Sequence, residues 1–206
     1  MKKITAPTPP PQTFRRLLPP PPRWRKDLAG VLIPEDRLAR RVRQLAASIQ
    51  HDYRQHEPVL VALLSGTVMF LADVIRHLEL PLRLDFLSVS SYGASTTSGE
   101  LVFSKELRLD IQGKDVLVVE DILDTGRTLT AVLEKLRAQR PRQLRVCVLL
   151  DKPARRQVPV TAHYTGFRIP DYFVVGYGLD FAERYRNLPF IGVLKPELYG
   201  ADPQKK

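Results

Sequence analysis

The most chemically informative part of the chain is residues 116–130, VLVVEDILDTGRTLT. A short apolar run leads directly into the acidic pair Glu120 and Asp121. The turn after it contains an acid, two hydroxyls, a glycine and an arginine: Asp124, Thr125, Gly126, Arg127 and Thr128. An amphipathic segment follows, so the pattern predicts a buried strand, a polar turn and a helix.

This order of strand, acids and turn is typical of a ligand site. Open parallel sheets place their ligands at the carboxyl ends of strands. The free backbone N–H groups of a turn before a helix bind phosphate, and the helix dipole adds to that attraction. Carboxylates beside such a turn can hold sugar hydroxyls and a hard cation. An isolated Asp-Thr-Gly is more simply a helix N-cap, but the full combination favours a site for a phosphorylated sugar.

The segment resembles the motif by which type I phosphoribosyltransferases bind 5-phosphoribosyl-1-diphosphate (PRPP). Its VEDILDTG form resembles the branch that acts on 6-oxopurines. The resemblance implies that the turn binds the 5-phosphate and that Glu120 and Asp121 hold the ribose hydroxyls. It also implies that Asp124 is the catalytic base, and that Glu120, Asp121 and Asp180 surround a magnesium ion.

Two further segments match loops of that family. Ser65 and Gly66 follow an apolar strand, as in the loop that binds the diphosphate. Taken alone they indicate only a strand-to-helix turn, and the family often has a basic residue where Ser65 stands. Ser91 and Tyr92 open a long polar stretch that resembles the mobile loop closing over the site, although a solvated hairpin is the simpler interpretation without the resemblance.

The purine site is implied by the carboxyl-terminal third. Lys152 follows another apolar strand, and in the family this lysine donates to the purine 6-oxygen; alone it would be interpreted as a surface lysine. Phe173 matches the residue that stacks on the purine, and Val174 the one whose backbone binds the base edge. Without the resemblance both belong to an ordinary core strand. Arg186 matches a diphosphate ligand, a role suited to a planar permanent cation.

The remaining pattern predicts an α/β fold, a mostly parallel twisted sheet flanked by helices. Helical periodicity covers residues 35–53, 67–78 and 128–138. Strands are predicted at 59–64, 82–88, 116–119, 144–150, 160–164, 173–176 and 191–194, with a loop at 90–100. The resemblance adds a small hood built from the chain ends, at about residues 165–200. The predicted domain covers residues 27–206.

The net charge of +10 is concentrated at the front of the chain. Residues 1–43 contain 11 Lys or Arg against 3 acids, whereas the rest contains 21 against 19. Residues 1–26 are rich in proline and predict a disordered basic extension. A nucleic-acid arm or an SH3 ligand is the less favoured alternative. No apolar run is long enough to span a membrane, no secretory signal is indicated, and Cys147 is the only cysteine, so a cytoplasmic protein is expected.

Taken with the resemblance, these features predict a purine-salvage transferase that joins hypoxanthine or guanine to PRPP with Mg²⁺ as cofactor. A homodimer or homotetramer is expected from the family, with neither membrane nor nucleic acid as a partner. Two alternatives stay open. One is a non-catalytic regulator with the same fold that binds nucleotide and RNA, and the other is the same transfer to xanthine or a pyrimidine.

Overall fold

The computed structural model describes residues 16–91 and 101–200. Nine strands and four α-helices lie within these residues. In chain order they are β1 (Leu28–Ile33), α1 (Glu35–Tyr53), β2 (Val59–Leu64), α2 (Val68–Ile75), β3 (Arg83–Ser91), β4 (Leu101–Lys105), β5 (Asp115–Leu123), α3 (Arg127–Ala138), β6 (Gln143–Asp151), β7 (Tyr164–Arg168), β8 (Val174–Val175), β9 (Ile191–Leu194) and α4 (Pro196–Tyr199).

The central sheet has six strands in the order β4-β3-β2-β5-β6-β7. All neighbours are parallel except β3 and β4, which form an antiparallel pair at one edge. The predicted α/β class with a mostly parallel sheet is confirmed. Because β2 and β5 are neighbours and parallel, the turns that follow them lie side by side at one end of the sheet.

Helices cover both faces of this sheet. The apolar stripe of α1, which includes Leu38, Val42 and Ile49, is buried with that of α2 against one face. The stripe of α3, which includes Val132 and Leu136, is buried against the other. Strands covered on both sides need continuous apolar runs, and β5 contains such a run at residues 116–119. No helix within the described residues is long and apolar enough to cross a membrane.

A second sheet, β1-β9-β8, forms the hood. It is antiparallel and unites the amino-terminal strand with the carboxyl-terminal ones, which agrees with a hood built from both chain ends. The predicted boundary at residue 26 differs from the structure. Leu18 pairs with Val31 by two backbone hydrogen bonds of 2.8 and 2.9 Å, and Trp24 packs edge-on against Tyr185. Residues 17–26 therefore belong to the folded hood, while residues 1–15 lie outside the described part.

Several predicted elements need correction. The strand predicted at residues 160–164 is wrong, because β7 begins only at Tyr164. The strand predicted at residues 116–119 extends to Leu123, so Glu120 and Asp121, expected at the carboxyl end of the strand, lie within β5. The helix predicted at residues 67–78 is shorter, and β1 and β4 were not predicted.

Candidate active site

The candidate active site is a cleft of about 270 Å³ at the carboxyl ends of β2 and β5. The turn at Gly66 follows β2. The acidic pair lies on β5, which leads into the turn before α3. Seven of the residues singled out from the sequence line it: Gly66, Glu120, Asp121, Asp124, Thr125, Gly126 and Thr128. The cleft therefore combines carboxylates, hydroxyls and a helix amino terminus in one place.

Glu120 and Asp121 form a tightly coupled carboxyl pair. Glu120 Oε1 accepts from the Asp121 amide at 3.1 Å and from the Thr67 hydroxyl at 3.3 Å, and Asp121 Oδ1 accepts from the Ile122 amide at 2.7 Å. Burial, together with the charge of Asp121, raises the pKa of Glu120 well above its usual range, and burial also raises the pKa of Asp121. The pair concentrates acidic oxygens in one place and favours a proton, hydroxyl donors or a cation.

Two glycines allow the turn after β2 to approach this pair. A Cβ atom on Gly66 would lie 1.7 Å from Asp121 Oδ2. A Cβ atom on Gly178 would lie 1.9 Å from the Gly66 carbonyl oxygen, and Gly178 also has a φ of +101°. The backbone of Gly66 thus lies between the carboxylate and the hood, with no room for a side chain.

The turn before α3 is held in shape by the chain after β6. Gly126 is the helix N-cap with a φ of +89°, and a Cβ atom there would lie 2.6 Å from the Val158 carbonyl oxygen. The amides of Gln157 and Val158 donate to the Thr125 carbonyl at 2.9 and 3.1 Å. The turn is therefore fixed before any ligand arrives. Arg127 is exposed at the start of α3 and does not line the cleft.

Lys152 lies in a cluster of four charged side chains. Its ammonium group is buried, 3.8 Å from Asp171, and burial lowers the pKa of Lys152 against the opposing influence of Asp124 and Asp171. Arg155 lies 3.1 Å from Asp124 and 3.7 Å from Asp171. The lysine is thus a buried donor held near the carboxylate of Asp124, and not the surface residue that its local sequence alone suggests.

The two predicted purine-contacting residues of the hood lie on or beside β8. Val174 is buried in that strand. The ring of Phe173 stacks on Tyr199 with centroids 4.7 Å apart and meets Phe181 edge-on at 5.6 Å. Phe173 is therefore held by aromatic neighbours within the hood, and neither residue lines the cleft.

Asp180 is paired with Arg186 at 3.0 Å and is not grouped with Glu120 and Asp121. Within the described residues, no group of three or more acidic, histidine or cysteine side chains could hold a metal ion. The predicted set of three carboxylates around a cation is therefore not assembled. Arg186 donates to the Gly178 carbonyl at 2.9 Å and to Glu183 at 2.9 Å, and its charge acts on Asp121.

Sequence reasoning missed Arg155 at this site, because the residue lies in an Arg-Arg run that resembles a solvated surface, whereas the structure pairs it with Asp124. It also missed Tyr177 in the hood, whose hydroxyl donates to Asp73 on α2, because the neighbours of Tyr177 suggested only a hood strand. Ser65 is exposed in the turn after β2. Ser91 ends β3, while its side chain and the whole of Tyr92 lie outside the described residues.

Comparisons with known proteins agree with this geometry. Residues 34–182 match the phosphoribosyl transferase domain family. The hypoxanthine-guanine phosphoribosyltransferase of Bacillus subtilis is 45% identical over 84% of this chain and 97% of its own, and that of Staphylococcus epidermidis is 46% identical over 84% and 98%.

Solved structures show the same relationship. A hypoxanthine phosphoribosyltransferase from Staphylococcus aureus superposes with a TM-score of 0.81 at 44% identity, covering 84% of this chain and 95% of that one. A hypoxanthine phosphoribosyl transferase from Trypanosoma cruzi gives 0.80 at 39% identity, covering 85% and 95%. With such identity over most of its length, the chain belongs to the hypoxanthine-guanine phosphoribosyltransferases.

Proposed function

We propose that this chain transfers the phosphoribosyl group of PRPP to hypoxanthine or guanine, forming IMP or GMP and releasing diphosphate. The observation that carries the proposal is the cleft in which the paired carboxylates Glu120 and Asp121 face the amino-terminal turn of α3. This arrangement suits a ligand that has both a phosphate and ribose hydroxyls.

PRPP would span the cleft with its charged groups at two ends. The 5-phosphate binds the turn, where Gly126 permits close approach and the hydroxyls of Thr125 and Thr128 can donate. The ribose hydroxyls donate to Glu120 and Asp121, which fixes the sugar for attack. The diphosphate lies toward Ser65, Gly66 and Arg186, where backbone amides and a guanidinium can bind it.

A magnesium ion fits the paired carboxylates. Mg²⁺ usually retains several waters and is held by one or two carboxylates together with substrate phosphates. Asp121 is buried and Glu120 half-buried, and the two carboxyl groups lie close together without a cationic partner at hydrogen-bonding distance among the described residues. The ion would neutralise the leaving diphosphate, and Asp180 would act on it through water. A group of three protein ligands is not required for this mode of binding.

The purine would bind between the Lys152 cluster and the hood. Lys152 donates to the 6-oxygen, Phe173 stacks on the ring, and the backbone of Val174 binds the base edge. Adenine has an amino group in place of the 6-oxygen. The buried Lys152 ammonium group would then face another donor, and the base would offer it no acceptor at that position. The site should therefore reject adenine, as expected for sites built around a buried polar contact.

The reaction exchanges one bond at C1′ for another and transfers one proton. N9 of the purine attacks C1′ of the ribose, the bond from C1′ to the diphosphate oxygen breaks, and the proton on N7 passes to Asp124. Glycosidic centres react through oxocarbenium-like transition states, so positioning and charge stabilisation carry most of the catalysis. In the structure Arg155 is ion-paired with Asp124 and must release this carboxylate for proton transfer.

The proposal also includes Ser91 and Tyr92 as part of a closing loop, a homodimer or homotetramer, and a cytoplasmic location without nucleic-acid partners. Light scattering coupled to size-exclusion chromatography measures the assembly. A regulator that binds the same ligands without turnover is the second candidate, and the basic front of the chain is its only support. Transfer to xanthine or a pyrimidine would keep the PRPP site and change the base.

The direct test mixes the purified chain with PRPP, Mg²⁺ and hypoxanthine, and follows IMP and diphosphate together by chromatography. We expect the two products in equal amounts and a loss of both when the metal is chelated. Tight binding of PRPP without turnover, in the presence of Mg²⁺ and either base, would favour the regulator and contradict the proposal.

A further inference from the structure

Tyr177 connects the hood to the helix that follows the diphosphate loop. Its hydroxyl donates to Asp73 Oδ2 on α2 at 2.5 Å, and Asp73 also pairs with Arg76 at 2.8 Å. Burial raises the pKa of Tyr177, and the hydrogen bond to Asp73 and the charge of that carboxylate raise it further. The hydroxyl therefore stays protonated and donates. The side chain of Tyr177 is buried, which strengthens a hydrogen bond to a carboxylate.

The backbone around Tyr177 has an unusual shape. Gly176, Tyr177 and Gly178 have consecutive φ values of +102°, +51° and +101°. A side chain tolerates this region poorly, so a non-glycine residue there needs support from its surroundings. The Tyr177 amide donates to the Leu188 carbonyl at 2.8 Å, which closes the turn within the hood. The hydrogen bond to Asp73 joins the same turn to α2.

This turn touches the groups assigned to the diphosphate. Gly178 packs on the Gly66 carbonyl so closely that a Cβ atom would lie 1.9 Å from the oxygen. The Gly178 carbonyl accepts from Arg186 Nη1 at 2.9 Å, and its amide donates to the Arg186 carbonyl at 2.9 Å. Gly178, the residue after Tyr177, therefore contacts both the loop at Gly66 and the guanidinium of Arg186.

We infer that Tyr177 and Asp73 are positioning residues that set the spacing between Gly66 and Arg186 for diphosphate binding. Neither residue is assigned a contact with substrate. They act through Gly178, whose place depends on where Tyr177 is anchored. The inference rests on the proposed function, since it assumes that diphosphate lies between those two groups.

The test is Tyr177→Phe, which removes the hydroxyl and keeps the ring. We expect the affinity for Mg-PRPP and for diphosphate to fall about tenfold by calorimetry, because small displacements of binding groups are costly. Binding of IMP, which lacks the diphosphate, should change less than about twofold, as should the KM for hypoxanthine. A purely structural role would weaken all ligands together.

Asp73 provides the conservative comparison. Asp73→Asn keeps an acceptor and should retain PRPP affinity close to that of the wild type, whereas Asp73→Ala should reproduce the loss. The double variant of Tyr177→Phe with Asp73→Ala should be no worse than either single change, since both break one bond. Tyr53→Phe is the matched control, because no group within the described residues is hydrogen-bonded to the buried Tyr53 hydroxyl.

Equal PRPP and diphosphate affinity in Tyr177→Phe and the wild type would overturn the inference while leaving the proposed function intact. Equal losses for PRPP and IMP would also overturn it, since that result indicates a general disruption. A wild-type chain that binds IMP but neither PRPP nor diphosphate would contradict both the inference and the proposed function.

Discussion

Glu120→Gln should raise the stability of the protein and weaken its binding of PRPP. The side chain lies beside Asp121 in the cleft, and burial with that neighbouring charge raises its pKa well above the ordinary value of 4.5. Glutamine keeps an oxygen that can accept from the Asp121 amide and from Thr67, which now bond Glu120 Oε1 at 3.1 and 3.3 Å. The substitution therefore removes the charge and preserves the hydrogen bonds.

The sign of the pH effect follows from the raised pKa. Above about pH 4.5 the unfolded chain releases the Glu120 proton, while the folded protein retains it until its own higher pKa is reached. The folded state then binds more protons than the unfolded state, so stability falls as pH rises through this window. The wild type carries this cost at neutral pH, and the variant, whose side-chain amide does not ionise, is free of it.

The size of the effect is that of one poorly compensated buried polar group, on the order of 2 kcal/mol. For a chain of this length, that corresponds to a Tm higher by roughly 4–8 °C at neutral pH. The gain should shrink as pH is lowered toward and below 4.5, where the carboxyl of the unfolded wild type also takes up its proton. Affinity for Mg-PRPP should fall at least tenfold, because a ribose hydroxyl and the cation lose an anionic partner.

The assay is differential scanning calorimetry of wild type and variant from pH 4.5 to 8, with calorimetric titration of Mg-PRPP at pH 7.5. Glu57→Gln serves as the control, since Glu57 pairs with Arg83 at the surface and such pairs contribute little. A variant less stable than the wild type at pH 7.5 would refute the reasoning. So would a gain in Tm that does not depend on pH.

Three other predictions concern catalysis, specificity and the front of the chain. Asp124→Asn should lower kcat by roughly 10²–10⁴-fold with PRPP binding retained, while exposed Asp36→Asn changes nothing; a near-normal kcat would remove Asp124 as the base. Lys152→Ala should sharply reduce kcat/KM for hypoxanthine and guanine and leave adenine poor; unchanged use of both 6-oxopurines would contradict the assignment. Deleting residues 1–15 should preserve Tm, whereas deleting residues 1–26 should lower it by several degrees through loss of Trp24; equal Tm values for both truncations would contradict the packing of the hood.

The sheet and the main site residues could be predicted because their signals are local. The buried strands β2 and β9 follow from continuous apolar runs, and their bounds are as predicted. At residues 116–130, the strand, the acids, the turn and the start of the helix all lie within fifteen consecutive positions. Elements whose pattern lies within one short segment can be predicted from the sequence of that segment.

The misses come from contacts between distant segments. β1 has no clear alternation and is stabilised by pairing with β9, more than 150 residues later in the chain. Residues 17–26 are rich in proline, which suggested disorder, yet Leu18 pairs with Val31 and Trp24 packs on Tyr185. Proline-rich composition shows that a helix is excluded and does not show whether a surface is available for packing.

The partners of individual site residues were beyond the sequence for the same reason. The ion pair of Arg155 with Asp124 joins the segment after β6 to the turn after β5. The bond from Tyr177 to Asp73 spans more than 100 positions along the chain. Asp180 was predicted to approach Glu120 and Asp121. In the structure it is ion-paired with Arg186 instead, and the local sequence does not show how that arginine is oriented.

The most direct test of the central claim is a panel of initial rates with PRPP, Mg²⁺ and each of five bases: hypoxanthine, guanine, xanthine, adenine and uracil. We expect rapid turnover of hypoxanthine, guanine or both, with kcat/KM for adenine lower by roughly 10⁴-fold, because buried Lys152 requires an acceptor at the purine 6-position. Adenine used as well as hypoxanthine would contradict the purine assignment, and no turnover of any base would contradict the enzymatic function itself.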